Sequence, residues 1–116
     1  MSPARPSETG RTDAGASAHV FAALGDPTRL GMVARLCRDG PLSIARLTAG
    51  SEVTRQAITK HLRVLAEAGL VRGQRRGRES LWELEPRRLE IARRYLDSVS
   101  KRWDDTLERL KAAVEK

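Results

Sequence analysis

TRQAITKHLRVLAEAGLV (Thr54–Val71) runs directly into RGQRRGRESLWEL (Arg72–Leu84). On a helical wheel of about 100° per residue, Ile58, Leu62 and Leu65 of the first stretch fall together and must face a core. Gln56, Thr59, Lys60 and Arg63 fall on the opposite side. Thr54 suits an N-cap, and Gly69 is the usual left-handed stop. The spacing predicts a helix ending at Ala68. The second stretch crowds four arginines into seven residues and then alternates. Leu70–Arg72 and Ser80–Leu84 read as two short strands around a Gly-containing turn. Alternation puts Trp82 and Leu84 on one face, packed back on the helices.

Upstream, Ser43 caps a short helix over Ile44–Ala49, and GSEV (Gly50–Val53) is a tight turn. Short helix, turn and helix make a helix-turn-helix. Asp26-Pro27 starts a helix that DGP (Asp39–Pro41) stops, because Asp caps and Pro is welcome at the first position. Its apolar positions are Leu30, Val33, Ala34 and Cys37, so Cys37 is expected in the core. Ser17–Gly25 is a shorter helix before it. The class is mainly α with a small β-hairpin: a winged helix-turn-helix with N- and C-terminal dimerisation helices. The divisions are a disordered tail over 1–15, rich in Pro, Gly, Ser and Thr, the winged unit over 16–86, and a C-terminal dimerisation helix over 87–116.

The chain of 116 residues carries a net charge of +7, and 40% of it is hydrophobic but only 3% aromatic. Its core must come from Leu, Val, Ile and Ala. The excess charge suggests a polyanionic partner. Between Glu52 and Arg78 there are seven basic residues and two acids. A purely solvating face would mix signs. In such a motif the first half of the second helix enters the major groove. There Arg reads guanine, Gln reads adenine, and Thr takes a base edge or a thymine methyl. The candidate DNA contacts are Thr54, Arg55, Gln56, Thr59, Lys60 and Arg63, with Lys60 and Arg63 better placed for phosphates. Arg75, Arg76 and Arg78, at the hairpin tip, suit the phosphate backbone or the narrow minor groove. His61, at the margin of the apolar face, reads as a hydrogen-bonded, buried histidine, with a phosphate contact as the alternative.

Leu89, Ala92, Leu96, Val99, Trp103, Leu107, Leu110 and Val114 recur every three or four residues. All eight fall within about 80° on the wheel. That stripe is as narrow as a coiled-coil seam, and about 39 Å long at 1.5 Å per residue. A domain this small cannot cover it from within. The expected homodimer interface is therefore Leu89, Ala92, Leu96, Val99, Trp103, Leu107 and Leu110, shared with Val20, Phe21 and Leu24.

One cysteine cannot form an internal disulfide, which fits a reducing cytosol. No apolar run approaches the roughly 20 residues a membrane helix needs, so no membrane partner is expected. There is no Gly-rich phosphate loop after a strand and no nucleophile beside a base. No enzymatic activity and no cofactor are expected.

The stretches FAALGDPTRLGMVARL, TRQAITKHLRVLAEAGLV and GRESLWELEP together resemble the ArsR/SmtB family of winged-helix repressors. The resemblance covers roughly Ser17 to Trp103. It implies a cytoplasmic homodimer that binds double-stranded operator DNA, often represses its own operon, and in many members releases DNA on binding a metal or another small signal. The chain departs from the metal sensors. Its third helix, SIARLTAG, lacks their Cys-x-Cys, and no histidine follows His61. No metal site is expected, and an effector of unread chemistry stays open. The long last helix with RWDDTLERL looks like a subgroup that does not sense metals. Two other functions stay open: a non-specific architectural DNA binder, and a winged helix used only for protein assembly.

Overall fold

The computed structural model describes residues 6–115. The elements are α1 (Pro6–Leu24), α2 (Pro27–Asp39), α3 (Ile44–Thr48), α4 (Arg55–Glu67), β1 (Val71–Arg76), β2 (Glu79–Leu84) and α5 (Pro86–Val114). The expected order of helices and hairpin is met, as are the capping signals. Asp26 Oδ2 accepts from the Arg29 backbone N–H at 3.0 Å. Ser43 Oγ accepts from Arg46 N–H at 3.2 Å, and Thr54 Oγ1 from Ala57 N–H at 3.1 Å. Each satisfies a donor that the first turn of a helix leaves orphaned.

α4 ends in a Schellman turn. The Leu70 N–H bonds the Leu65 carbonyl at 2.9 Å, with Gly69 at φ +77°. Glycine is needed there twice over. The left-handed backbone disfavours a Cβ, and a Cβ would lie 2.7 Å from Cγ of Arg88 on α5. The hairpin pairs Val71 with Leu84 through to Arg76 with Glu79, leaving Gly77 and Arg78 as a two-residue turn with Gly77 at φ +60°. It is tied down at its base. Leu42 and Trp82 exchange backbone bonds at 2.9 and 2.8 Å, and the Glu85 N–H reaches the Leu70 carbonyl at 2.8 Å.

The core joins all the helices except the far end of α5. Ile58, Leu62, Leu65, Leu70 and Val20 are fully buried, with Leu36, Leu42, Leu47 and Ala92 around them. Trp82 and Leu84 pack on that core from the wing.

Three expectations change. The structure begins α1 at Pro6, so residues 6–15 are helical where a disordered tail was expected; residues 1–5 of that tail lie outside the described residues. Pro6 suits a first helical turn, and the alanines at 14, 16 and 18 favour continuation. Ala16 and Ser17 are buried where α1 packs along α5. Second, α2 turns Met32, Val33 and Leu36 inward, whereas Leu30 is 53% exposed and Cys37 is exposed as well. Third, β1 runs on to Arg76, so Arg75 and Arg76 belong to a strand and only Arg78 to the turn.

Candidate nucleic-acid interface

α4 presents its two faces as the wheel requires. Ile58, Leu62 and Leu65 are buried, at 1% exposure or less. Arg55, Gln56, Lys60 and Arg63 are exposed, as is the cap Thr54. Thr59 Oγ1 donates to the Arg55 carbonyl at 2.9 Å, which uses up its proton. A base could still meet its methyl group or its oxygen lone pair. Among the described residues, none of Arg55, Lys60 or Arg63 is in an ion pair, so all three cations are available to a ligand.

The wing divides its arginines by role. Arg72 is committed within the fold: its guanidinium meets Glu83 Oε1 at 2.9 Å and Glu85 Oε2 at 2.7 Å. The Glu83 hydrogen bond, with Glu85 beside it, raises the Arg72 pKa further above its ordinary value. Gln74 donates to the other oxygen of Glu83 at 3.1 Å. Arg75, Arg76 and Arg78 are exposed and, among the described residues, unpaired. The register puts Arg75 on the ribbon face of Trp82 and Arg76 on the other, so the two arginines reach in different directions.

A shallow groove separates the helix-turn-helix from the wing, lined by Ser43, Ile44, Ala45, Arg55, Glu79 and Ser80. It places Arg55 beside β2 and brings in Glu79, a carboxylate that the local charge pattern did not mark. Arg46 of α3 is a second addition. It is exposed, on the helix that crosses the DNA backbone in helix-turn-helix complexes, and its position after the Ser43 cap could have found it.

The expected interface stripe splits along α5. Val20 and Ala92 are already buried within the chain, and Phe21, Leu24 and Leu89 pack against its core. Val20, at 0% exposure, therefore offers no surface to a second copy. From Leu96 onward the described residues leave most of the stripe open: Leu96, Trp103, Leu107 and Leu110 are 51–61% exposed. Val99 is half-buried.

A family described as "Helix-turn-helix domain" matches residues 24–74, the span from the end of α1 into β1. The HTH-type transcriptional repressor SmtB of Mycobacterium tuberculosis is 30% identical over 105 residues, 90% of this chain and 76% of that one. The solved ArsR-like transcriptional regulator from Rhodococcus sp. RHA1 superposes with a TM-score of 0.74 at 36% identity, over 84% of this chain and 92% of that one. The chain belongs to the ArsR family. The arsenic resistance transcriptional regulator ArsR1 of Pseudomonas putida is 36% identical over 67 residues, 58% of this chain and about half (52%) of that regulator's length.

ArsR1 is tied to arsenic by its name. In this ArsR-family chain no three His, Cys, Asp or Glu side chains stand together to hold a metal ion, among the described residues. No described helix is long and apolar enough to cross a membrane.

Proposed function

We propose that the chain is a homodimeric, sequence-specific transcriptional repressor acting on its own operon, in which α4 reads operator DNA in the major groove and the wing holds the backbone or minor groove alongside. The observation that carries this reading is the contrast between its cations. Arg72, itself exposed, is neutralised by Glu83 and Glu85, whereas Arg55, Lys60, Arg63, Arg75, Arg76 and Arg78 are exposed on α4 and the wing and, among the described residues, in no ion pair. Phosphate contacts of this kind position a protein on a duplex, and base-edge contacts specify where. Gln56 is the best candidate for reading a base edge. It is exposed in the first turn of α4, and its amide can pair with adenine through two hydrogen bonds. The exposed part of the α5 stripe supplies the dimer, and a dimer explains why one short reading helix per chain would suffice.

Gln56→Ala should weaken operator binding by about 1–3 kcal/mol and relax sequence preference at one position per half-site. Fluorescence anisotropy on operator duplexes varied one base pair at a time reads both effects. If the variant weakens operator and scrambled duplexes alike, Gln56 does not read sequence. If the wild-type chain itself binds every duplex equally, the architectural reading replaces this one.

A further inference from the structure

Three helices meet at one polar cluster. Arg29, in the first turn of α2, donates through Nε to the carbonyl of Ala23 at 2.6 Å. That carbonyl belongs to the last turn of α1, where the helix leaves its acceptors without partners. Arg29 Nη1 lies 3.2 Å from Nδ1 of His61, in the middle of α4. The Arg29 backbone N–H is itself fixed by Asp26 Oδ2, and that carboxylate stands 4.0 Å from His61 Nδ1. A guanidinium has no lone pair to offer. His61 Nδ1 must therefore accept, which puts the proton of the neutral ring on Nε2. Among the described residues, no other side-chain hydrogen bond joins α4 to another helix. Ile58, Leu62 and Leu65 of α4 also share the apolar core with residues of α1 and α2, and apolar contacts set distance better than direction.

We infer that Arg29 and His61 are positioning residues for DNA reading: the Asp26–Arg29–His61 cluster fixes the orientation of α4 relative to α1. The inference rests on the proposed DNA-reading function. α1 packs along α5, and α5 carries the exposed seam of the proposed dimer. The cluster is thus the directional link between that seam and the reading helix. Two reading helices fit two half-sites only when their separation is fixed, because half-site spacing mirrors the geometry of the dimer. Loosening the link should harm binding to paired half-sites much more than binding to one.

The test uses duplexes that the wild-type chain selects from a random pool. They are rebuilt with the half-sites at a series of separations, and as a single half-site. His61→Leu removes the acceptor; His61→Asn keeps one, since an amide oxygen can accept from Arg29. In fluorescence anisotropy His61→Leu should lose about tenfold or more at the preferred separation, as expected for a hydrogen bond to a charged group. It should show a flatter dependence on spacing and bind the single half-site nearly as the wild type does. His61→Asn should stay close to wild type in all three. Should His61→Leu fail to fold, Arg29→Lys, which keeps the charge and loses the fork, should flatten the spacing dependence in the same way. The inference is overturned if the variant lacking the acceptor keeps the wild-type spacing preference, or if His61→Asn falls as far as His61→Leu. A wild-type chain that selects no sequence overturns the DNA-reading function instead, so the two failures are separable.

Discussion

Trp103→Ala should raise the dimer dissociation constant by roughly 10²–10⁴-fold, the equivalent of about 3–5 kcal/mol for a large aromatic removed from a packed interface. Trp103 is 61% exposed in the single chain, so it contributes little to the fold of one protomer. Its neighbours along the stripe, Leu96, Leu107 and Leu110, are more than half exposed too. Large apolar residues that recur every three or four positions along one helix, without cover, mark an interaction surface rather than scattered exposure. Their spacing is that of a two-helix seam, which a second α5 can fill knob into hole. Trp103 stands at the middle of the exposed stretch, where interface energy concentrates. Sedimentation equilibrium over a concentration series measures the constant, and circular dichroism should show unchanged helix content. A dissociation constant within threefold of wild type would remove this seam from the interface.

Arg75→Ala together with Arg76→Ala should weaken operator and random DNA alike and make the dependence of log K on log salt shallower. Each phosphate that is no longer neutralised takes about 0.9 from that slope. The register aims the two side chains at opposite faces of the ribbon. Under the proposed reading one or both would meet phosphates, and two protomers would then give a change of about 1.8 to 3.6. Arg72→Ala is the informative contrast. Its guanidinium is held by Glu83 and Glu85, so its removal should leave the slope near wild type. Titration across a salt series reads both variants. If the double variant keeps the wild-type slope, the wing arginines only solubilise a loop.

Much of this is legible in the sequence because the signals are local. The caps at Asp26, Ser43 and Thr54, the stop at Gly69 and the apolar face of α4 each depend on residues within one or two turns, and the structure bears each of them out. Where the signal is not local, the sequence is ambiguous. α2 has apolar residues on two sides, and only the position of α4 and the wing decides that Met32 and Leu36 are buried while Leu30 and Cys37 are exposed. Arg29 and His61 are 32 residues apart, and neither carries a mark of the other. The charge run ending at Arg78 is less uniform than its sequence suggests, because Glu83 and Glu85 lie on the returning strand or just beyond it and reach back to Arg72. The apolar stripe of α5 is continuous in sequence; the fold divides it between Ala92, which is buried in the core, and Leu96, which is half exposed.

The most direct test of the central proposal is selection of bound duplexes from a random pool by the purified wild-type chain, followed by anisotropy on the winners and on scrambled versions. The expected result is an enriched sequence with two inverted half-sites about 10 base pairs apart, or a multiple of that. It should be bound at least about 10³-fold more tightly than the scrambled duplex at physiological salt. A pool that stays unenriched, with all duplexes bound equally or not at all, would contradict it.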